Sequence, residues 1–173
     1  MTTRPSPAVT VDALARVARA MRDPAQPETV FTALDGATRD AIGHRLFTLM
    51  IFHADAGETE RIYTNHPGPY PVGGRKQFAD TPWARSLLRD GRPYVGRTAA
   101  DIREVFFDHE LIFSLGCASV LNVPVAWGGR VLGTMNLLHE EGWYSDADVA
   151  SGLAFSPALV PAYLARLEGG RTR

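Results

Sequence analysis

The residue types best suited to chemistry are one cysteine, Cys117, with the pair Asp108-His109 just upstream of it. A thiol near an imidazole and a carboxylate is the set used for nucleophilic catalysis. The spacing opposes that use. A helix between His109 and Cys117 spans roughly 12 Å. A cysteine at a helix C-terminus also sits at the wrong end of the helix dipole to be acidified. An inert buried thiol is the plain alternative, and for Asp108 the plain alternative is a helix cap. The chain has no Gly-x-Ser-x-Gly, no Walker loop, no His-Glu-x-x-His and no strand-linked Gly-x-Gly-x-x-Gly. His44, His53, His66, His109 and His139 do not fall at metal spacings, so no metal is expected. A single cysteine excludes an internal disulfide and a cysteine-rich zinc site.

A second group of residues has the chemistry to bind rather than react. Arg61, Tyr63 and Asn65 alternate along one strand and are expected on one face. The loop Asn65–Lys76 (NHPGPYPVGGRK) has three prolines and three glycines and presents Tyr70 and Lys76. Trp83 lies on a short helix, where core packing is the alternative. Asn122 lies on an apolar strand and must find a partner, inside the core or on a ligand. Two cations and several hydroxyls suit a small polar or anionic molecule.

The elements that position these residues centre on GCASVLNVPVAWGGRVLGTMNLLH, from Gly116 to His139. It reads as strand Ala118–Ala126, a two-residue Gly128-Gly129 turn, and strand Val131–His139. Trp127 then faces Arg130, Asn122 faces Met135 and Leu121 faces Asn136. Asn122 and His139 are expected on the same face. Both faces are mostly apolar, so both should be covered. Upstream, helices are expected from Thr10 or Asp12 to about Arg22 and from Glu28 to about Ile42. Strands follow at Arg45–Ala54 and Thr59–Asn65. Thr81-Pro82 starts a helix to Arg89. A short strand lies near Gly91–Gly96, and short helices lie at Asp101–Glu104 and Asp108–Leu115. Ser145 with Asp148 forms an acidic capping box, and Pro157 and Pro161 divide the helical stretch after it.

The strand-hairpin-strand segment followed by Tyr144-Ser145-Asp146-Ala147-Asp148 resembles the GAF domain family. The close match covers Gly116–Asp148, and the element order fits about Arg39–Leu167. Gly91-Arg92-Pro93 matches the start of another segment common in that family. The resemblance implies an α+β fold: a GAF/PAS-like central antiparallel β-sheet with terminal helices on one face and lid helices and loops on the other. It implies a stand-alone sensor or regulator, with a small-molecule ligand held between sheet and lid and a homodimer formed through the terminal helices. With no room for an output domain, the signal is expected to pass to a partner protein. The alternative is a small enzyme using the same pocket, with Cys117, His109 and Asp108 as catalytic groups. It would not be a methionine sulfoxide reductase, because those GAF enzymes use several cysteines and place the catalytic one further upstream. The cyclic-nucleotide signature and the Cys-His setting for bilin attachment are absent, and no cofactor is expected.

Composition fits one domain over 1–173, with N-terminal helices at 8–42, a core at about 39–167, and tails at 1–7 and 169–173. Hydrophobic residues make up 45% and charged residues 21%, ordinary globular values that are enough for a core. A net charge of −1 gives no electrostatic case for nucleic acid or an anionic membrane. The sequence shows no signal peptide and no membrane-length apolar run, so a cytoplasmic protein is expected.

Overall fold

The computed structural model describes residues 7–169, with side chains from Thr10 onward. Most of both expected tails lies outside the described residues, although Pro7 opens the first helix and Gly169 closes the last. The core is a six-stranded antiparallel sheet in the order β3-β2-β1-β6-β5-β4. The strands are β1 Leu46–His53, β2 Glu58–Thr64, β3 Arg75–Gln77, β4 Tyr94–Gly96, β5 Ser119–Trp127 and β6 Arg130–His139. Helices α1 Pro7–Ala20, α2 Glu28–Ala41, α6 Asp146–Phe155 and α7 Val160–Gly169 bury one face around Phe47, Leu49, Val123 and Met135. The other face is covered by the short helices α3 Pro82–Leu88, α4 Ala99–Val105 and α5 His109–Ser114. This is the expected α+β arrangement, with one layer of terminal helices and one lid layer.

Local chemistry explains the short elements. Thr81 accepts a hydrogen bond from the Ala84 amide with Pro82 in the first turn, so α3 starts where expected. Thr98 and Asp101 cap each other at α4. Asp148 accepts from both the amide and the hydroxyl of Ser145 at α6. Residues Asp146–Gly169 form a 24-residue helical stretch apolar enough to cross a membrane by length and composition. Here its Phe155, Leu159 and Tyr163 are fully buried against the sheet, with a 3-10 turn at Ser156–Leu159 holding Pro157.

The hairpin turn is as expected. Both Gly128 and Gly129 have positive φ, at 58° and 76°, as a tight two-residue turn demands. The register beyond it differs. Ala126 pairs with Val131, but Val125 pairs with Gly133, so Leu132 is an extra residue in β6. Asn122 therefore faces Asn136, not Met135, and Leu121 faces Leu137. The shift also separates Asn122 from His139. Asn122 lies under the lid, while His139 stacks on Trp143, 3.8 Å between ring centroids, and Trp143 is bonded to Ile42 of the helix layer. Gly133 is required at this point, since a Cβ there would lie 1.9 Å from the Met50 carbonyl and 2.7 Å from the Tyr163 ring. A second bulge sits in β2. Leu49 pairs with Tyr63 and Met50 with Arg61, leaving Ile62 extra.

His44 ties α2 to β1 inside the helix layer. Its Nε2 is 3.0 Å from the Asp35 carbonyl, and its ring stacks on Phe47. Its Nδ1 is buried without a partner, and burial lowers its pKa to about 4. Between that value and the ordinary 6.5 the unfolded chain takes up a proton that the native one refuses. Stability is therefore complete above about pH 6.5 and falls as the pH drops toward 4, by on the order of 3 kcal/mol. Urea unfolding across this range should show that loss, and His44→Gln should flatten it.

Candidate functional site

The register shift assembles a row of polar side chains on the lid face of the three central strands. Asn122 on β5 donates from Nδ2 to Oδ1 of Asn136 on β6, at 2.8 Å. Asn136 in turn donates to Thr48 Oγ1 on β1, at 3.2 Å, and to Thr134 Oγ1, at 3.1 Å. All four residues are buried. From the lid, the Trp83 indole N–H reaches Asn122 Oδ1 at 3.3 Å. The Trp83 ring meets Phe106 edge-on at 5.2 Å and Tyr94 at 6.3 Å. Tyr94 is also the β4 partner of Asn122. An aromatic cover thus sits over a polar floor.

A second group lies on the same face. Arg61 pairs with Met50 on the lid side of β2, and its guanidinium carbon lies 4.8 Å above the Tyr70 ring. Its Nη1 donates to the Pro71 carbonyl at 3.1 Å, while its buried Nε has no partner. Burial lowers the Arg61 pKa, against the pull of Tyr70 and Asp108. Tyr70 is buried and donates its hydroxyl to Asp108 Oδ2 at 2.9 Å. Burial, then Asp108, pushes the Tyr70 pKa up. Asp108 occupies the cap position of α5 but makes no capping hydrogen bond, because its carboxylate is turned to Tyr70.

The candidate catalytic groups do not converge. Cys117 is buried among Leu46, Tyr70, Ile102, Ile112, Val120 and Leu138, with Tyr70 bonded to Asp108 and not to the thiol. Burial raises its thiol to about 11, far from the thiolate a nucleophile needs. Its Sγ faces the Leu115 carbonyl at 3.8 Å. His109 instead places Nδ1 2.9 Å from the Phe106 carbonyl and its ring 5.8 Å from Phe113. Asp108, His109 and Cys117 each have a separate partner.

Three candidate residues lie apart from this group. Arg61 and Tyr63 do not share a face, because the extra Ile62 turns Tyr63 toward the helices. There Tyr63 packs against Phe31 and Phe47 and donates to Asp35 Oδ2 at 2.8 Å. Burial, then Asp35, raises its pKa to about 12. Asn65 continues β2 alongside β1, accepting from the Phe47 amide at 2.8 Å and donating to the Arg45 carbonyl at 2.9 Å. Lys76 is exposed on edge strand β3 opposite Thr59. The structure adds Thr48, Thr134, Asn136, Tyr94 and Phe106. Asn136 had a visible signal, an amide inside an apolar strand that needs a partner. Gly133 was the cue that the register slips.

No protein-family model matches the sequence, and no curated protein matches it. Solved structures do. The GAF domain of a phosphoenolpyruvate-protein phosphotransferase from Coxiella burnetii superposes with TM-score 0.74 at 15% identity, covering 96% of this chain and 98% of that one. The corresponding domain from Acinetobacter gives 0.74 at 14%, covering 99% of both chains. A phycocyanobilin-bound GAF domain from a cyanobacterial phytochrome gives 0.67 at 20%, covering 92% and 96%. The chain has the GAF fold.

Within this GAF fold, Asn136 is the one side chain bonded to partners on both neighbouring strands of the polar row. Replacing Asn136 by Leu strands the Asn122 amide and two buried hydroxyls. Chemical denaturation should show a loss of about 1–3 kcal/mol. Trp83→Phe removes one bond at the end of the row and should cost less, about 0.5–1.5 kcal/mol.

Proposed function

We propose that this chain is a sensor module that holds a small polar or anionic molecule between the sheet and the α3–α5 lid. The observation that carries this reading is the buried Asn122–Asn136–Thr48–Thr134 row beneath Trp83. Amides and hydroxyls held in a bonded row at the centre of a sheet are useful as fixed donors and acceptors for a ligand. The ligand takes the place of the Trp83 indole at Asn122 Oδ1, and Arg61, with its free Nε, supplies the cation. The GAF fold supports the reading, since the phytochrome relative holds phycocyanobilin.

Occupancy would be relayed through Trp83 and α3 to a partner protein. The module would pair with a second copy through its terminal helices, where Val11 on α1 is 67% exposed. A cytoplasmic setting belongs to the same proposal, supported by a lone buried thiol rather than disulfides. The separation of Cys117, His109 and Asp108 favours binding over catalysis.

A thermal-shift screen against a metabolite library tests the reading, because a ligand bound to the native state alone raises the melting temperature. At a hundred times its Kd the gain is about 2.7 kcal/mol. The expected hit is recovered intact, and its shift is lost in Arg61→Leu and in Asn122→Leu, each corrected for its own ligand-free melting temperature. A hit that is chemically converted, with conversion lost in His109→Ala, would contradict the proposal.

A further inference from the structure

Beside the C-terminal end of α3, a cleft of about 530 Å³ opens at the end of the sheet where the β1–β2 and β5–β6 turns lie side by side. Phe52, Leu88 and Val131 give it an apolar floor, part of a small buried cluster under α3. Three arginines from three separate segments line it: Arg75 from β3, Arg89 from the end of α3, and Arg130 from the hairpin. Arg75 has loose ion pairs to Glu58 and Glu60, each at 4.0 Å. Arg89 and Arg130 are exposed and take no part in any side-chain hydrogen bond or ion pair among the described residues. Among the described residues, Asp55 is the one carboxylate on the lining.

Like charges gathered around one cavity repel, and Arg75 alone of the three has carboxylate partners, the loose pairs to Glu58 and Glu60. The chain as a whole carries a net charge of −1, so this local excess of positive charge is not a bulk property. Arginine binds carboxylate and phosphate oxygens through a planar fork. The volume and the apolar floor suit a small organic molecule rather than a bare ion.

We propose that this cleft is a second binding site, for a small organic anion. Its carboxylate or phosphate sits among Arg75, Arg89 and Arg130, and its apolar body rests on Phe52, Leu88 and Val131. The site is distinct from the polar row under the lid, although α3 lies against both, and the proposal does not rest on the sensor reading.

Anilinonaphthalene sulfonate, an aromatic anion that brightens in apolar surroundings, is a direct probe for the native, full-length chain. The expected result is saturable binding of one probe per chain, weakened by salt and displaced by a phenyl phosphate or a phenyl carboxylate. Which of the two displaces it at lower concentration tells phosphate from carboxylate as the preferred head group. Arg89→Ala/Arg130→Ala removes two exposed side chains and should leave the melting temperature unchanged while weakening the probe tenfold or more. Arg19→Ala/Arg22→Ala removes the same charge from α1 and its end and should leave the probe affinity unchanged. Asn122→Leu, which disables the lid site, should also leave it unchanged. Equal probe affinity in the Arg89/Arg130 variant, loss of the probe in Asn122→Leu, or no saturable binding by the native chain would each overturn the proposal.

Discussion

The extra residue Leu132 in β6 is the constraint on which the lid face depends. Without it, alternation from the Gly128-Gly129 turn would set Asn122 against Met135 and Asn136 against Leu121. A bulge flips every side chain after it to the other face of the sheet. With Leu132 inserted, Asn122 and Asn136 stand side by side and bond at 2.8 Å. The same insertion puts Gly133 against the Met50 carbonyl, where no Cβ fits. The bulge at Ile62 in β2 does the matching work on the other side of β1. It turns Arg61 to the lid and Tyr63 to the helices.

The two faces of the sheet then have different physics. The helix face is a dense apolar core, and its polar members are engaged in joining layers: Tyr63 to Asp35, Tyr144 to the Gly43 carbonyl, Tyr163 to the Thr134 carbonyl. Glu60 joins the same face to α7 through Arg166. The lid face keeps amides and hydroxyls in a connected row, covered by an indole and two further rings rather than by aliphatic packing. Short, capped helices hold that cover, and such elements have few contacts to break when they move. Under the proposed reading, the lid face binds and the helix face supports it.

Much of the fold was legible because its signals are local. The double-glycine turn, Thr81-Pro82 and Ser145 with Asp148 each act within a few residues. The apolar faces of the Gly116–His139 hairpin marked a pair of strands covered on both sides. The bulges were not legible by alternation, since an inserted residue leaves the strand as apolar as before; Gly133 was the single mark. The site was therefore half visible. Arg61, Tyr70, Trp83, Asp108 and Asn122 were seen singly, and the structure joins them into two groups on one face. Tyr63 was assigned to the wrong face because its position follows from Ile62. The arginine cleft was invisible in the sequence, because its three cations come from segments that meet in the folded chain alone.

Nitrogen-15 NMR of the side-chain amides and indoles, during titration with a hit from the metabolite screen, reads the polar row residue by residue. Binding at the row moves the Asn122 and Asn136 amide pairs and the Trp83 indole together, at one saturating concentration, while the Trp143 indole on the helix face stays still. Shifts confined to Trp143 or to the backbone of α1 and α2, with Asn122, Asn136 and Trp83 unmoved, would contradict it.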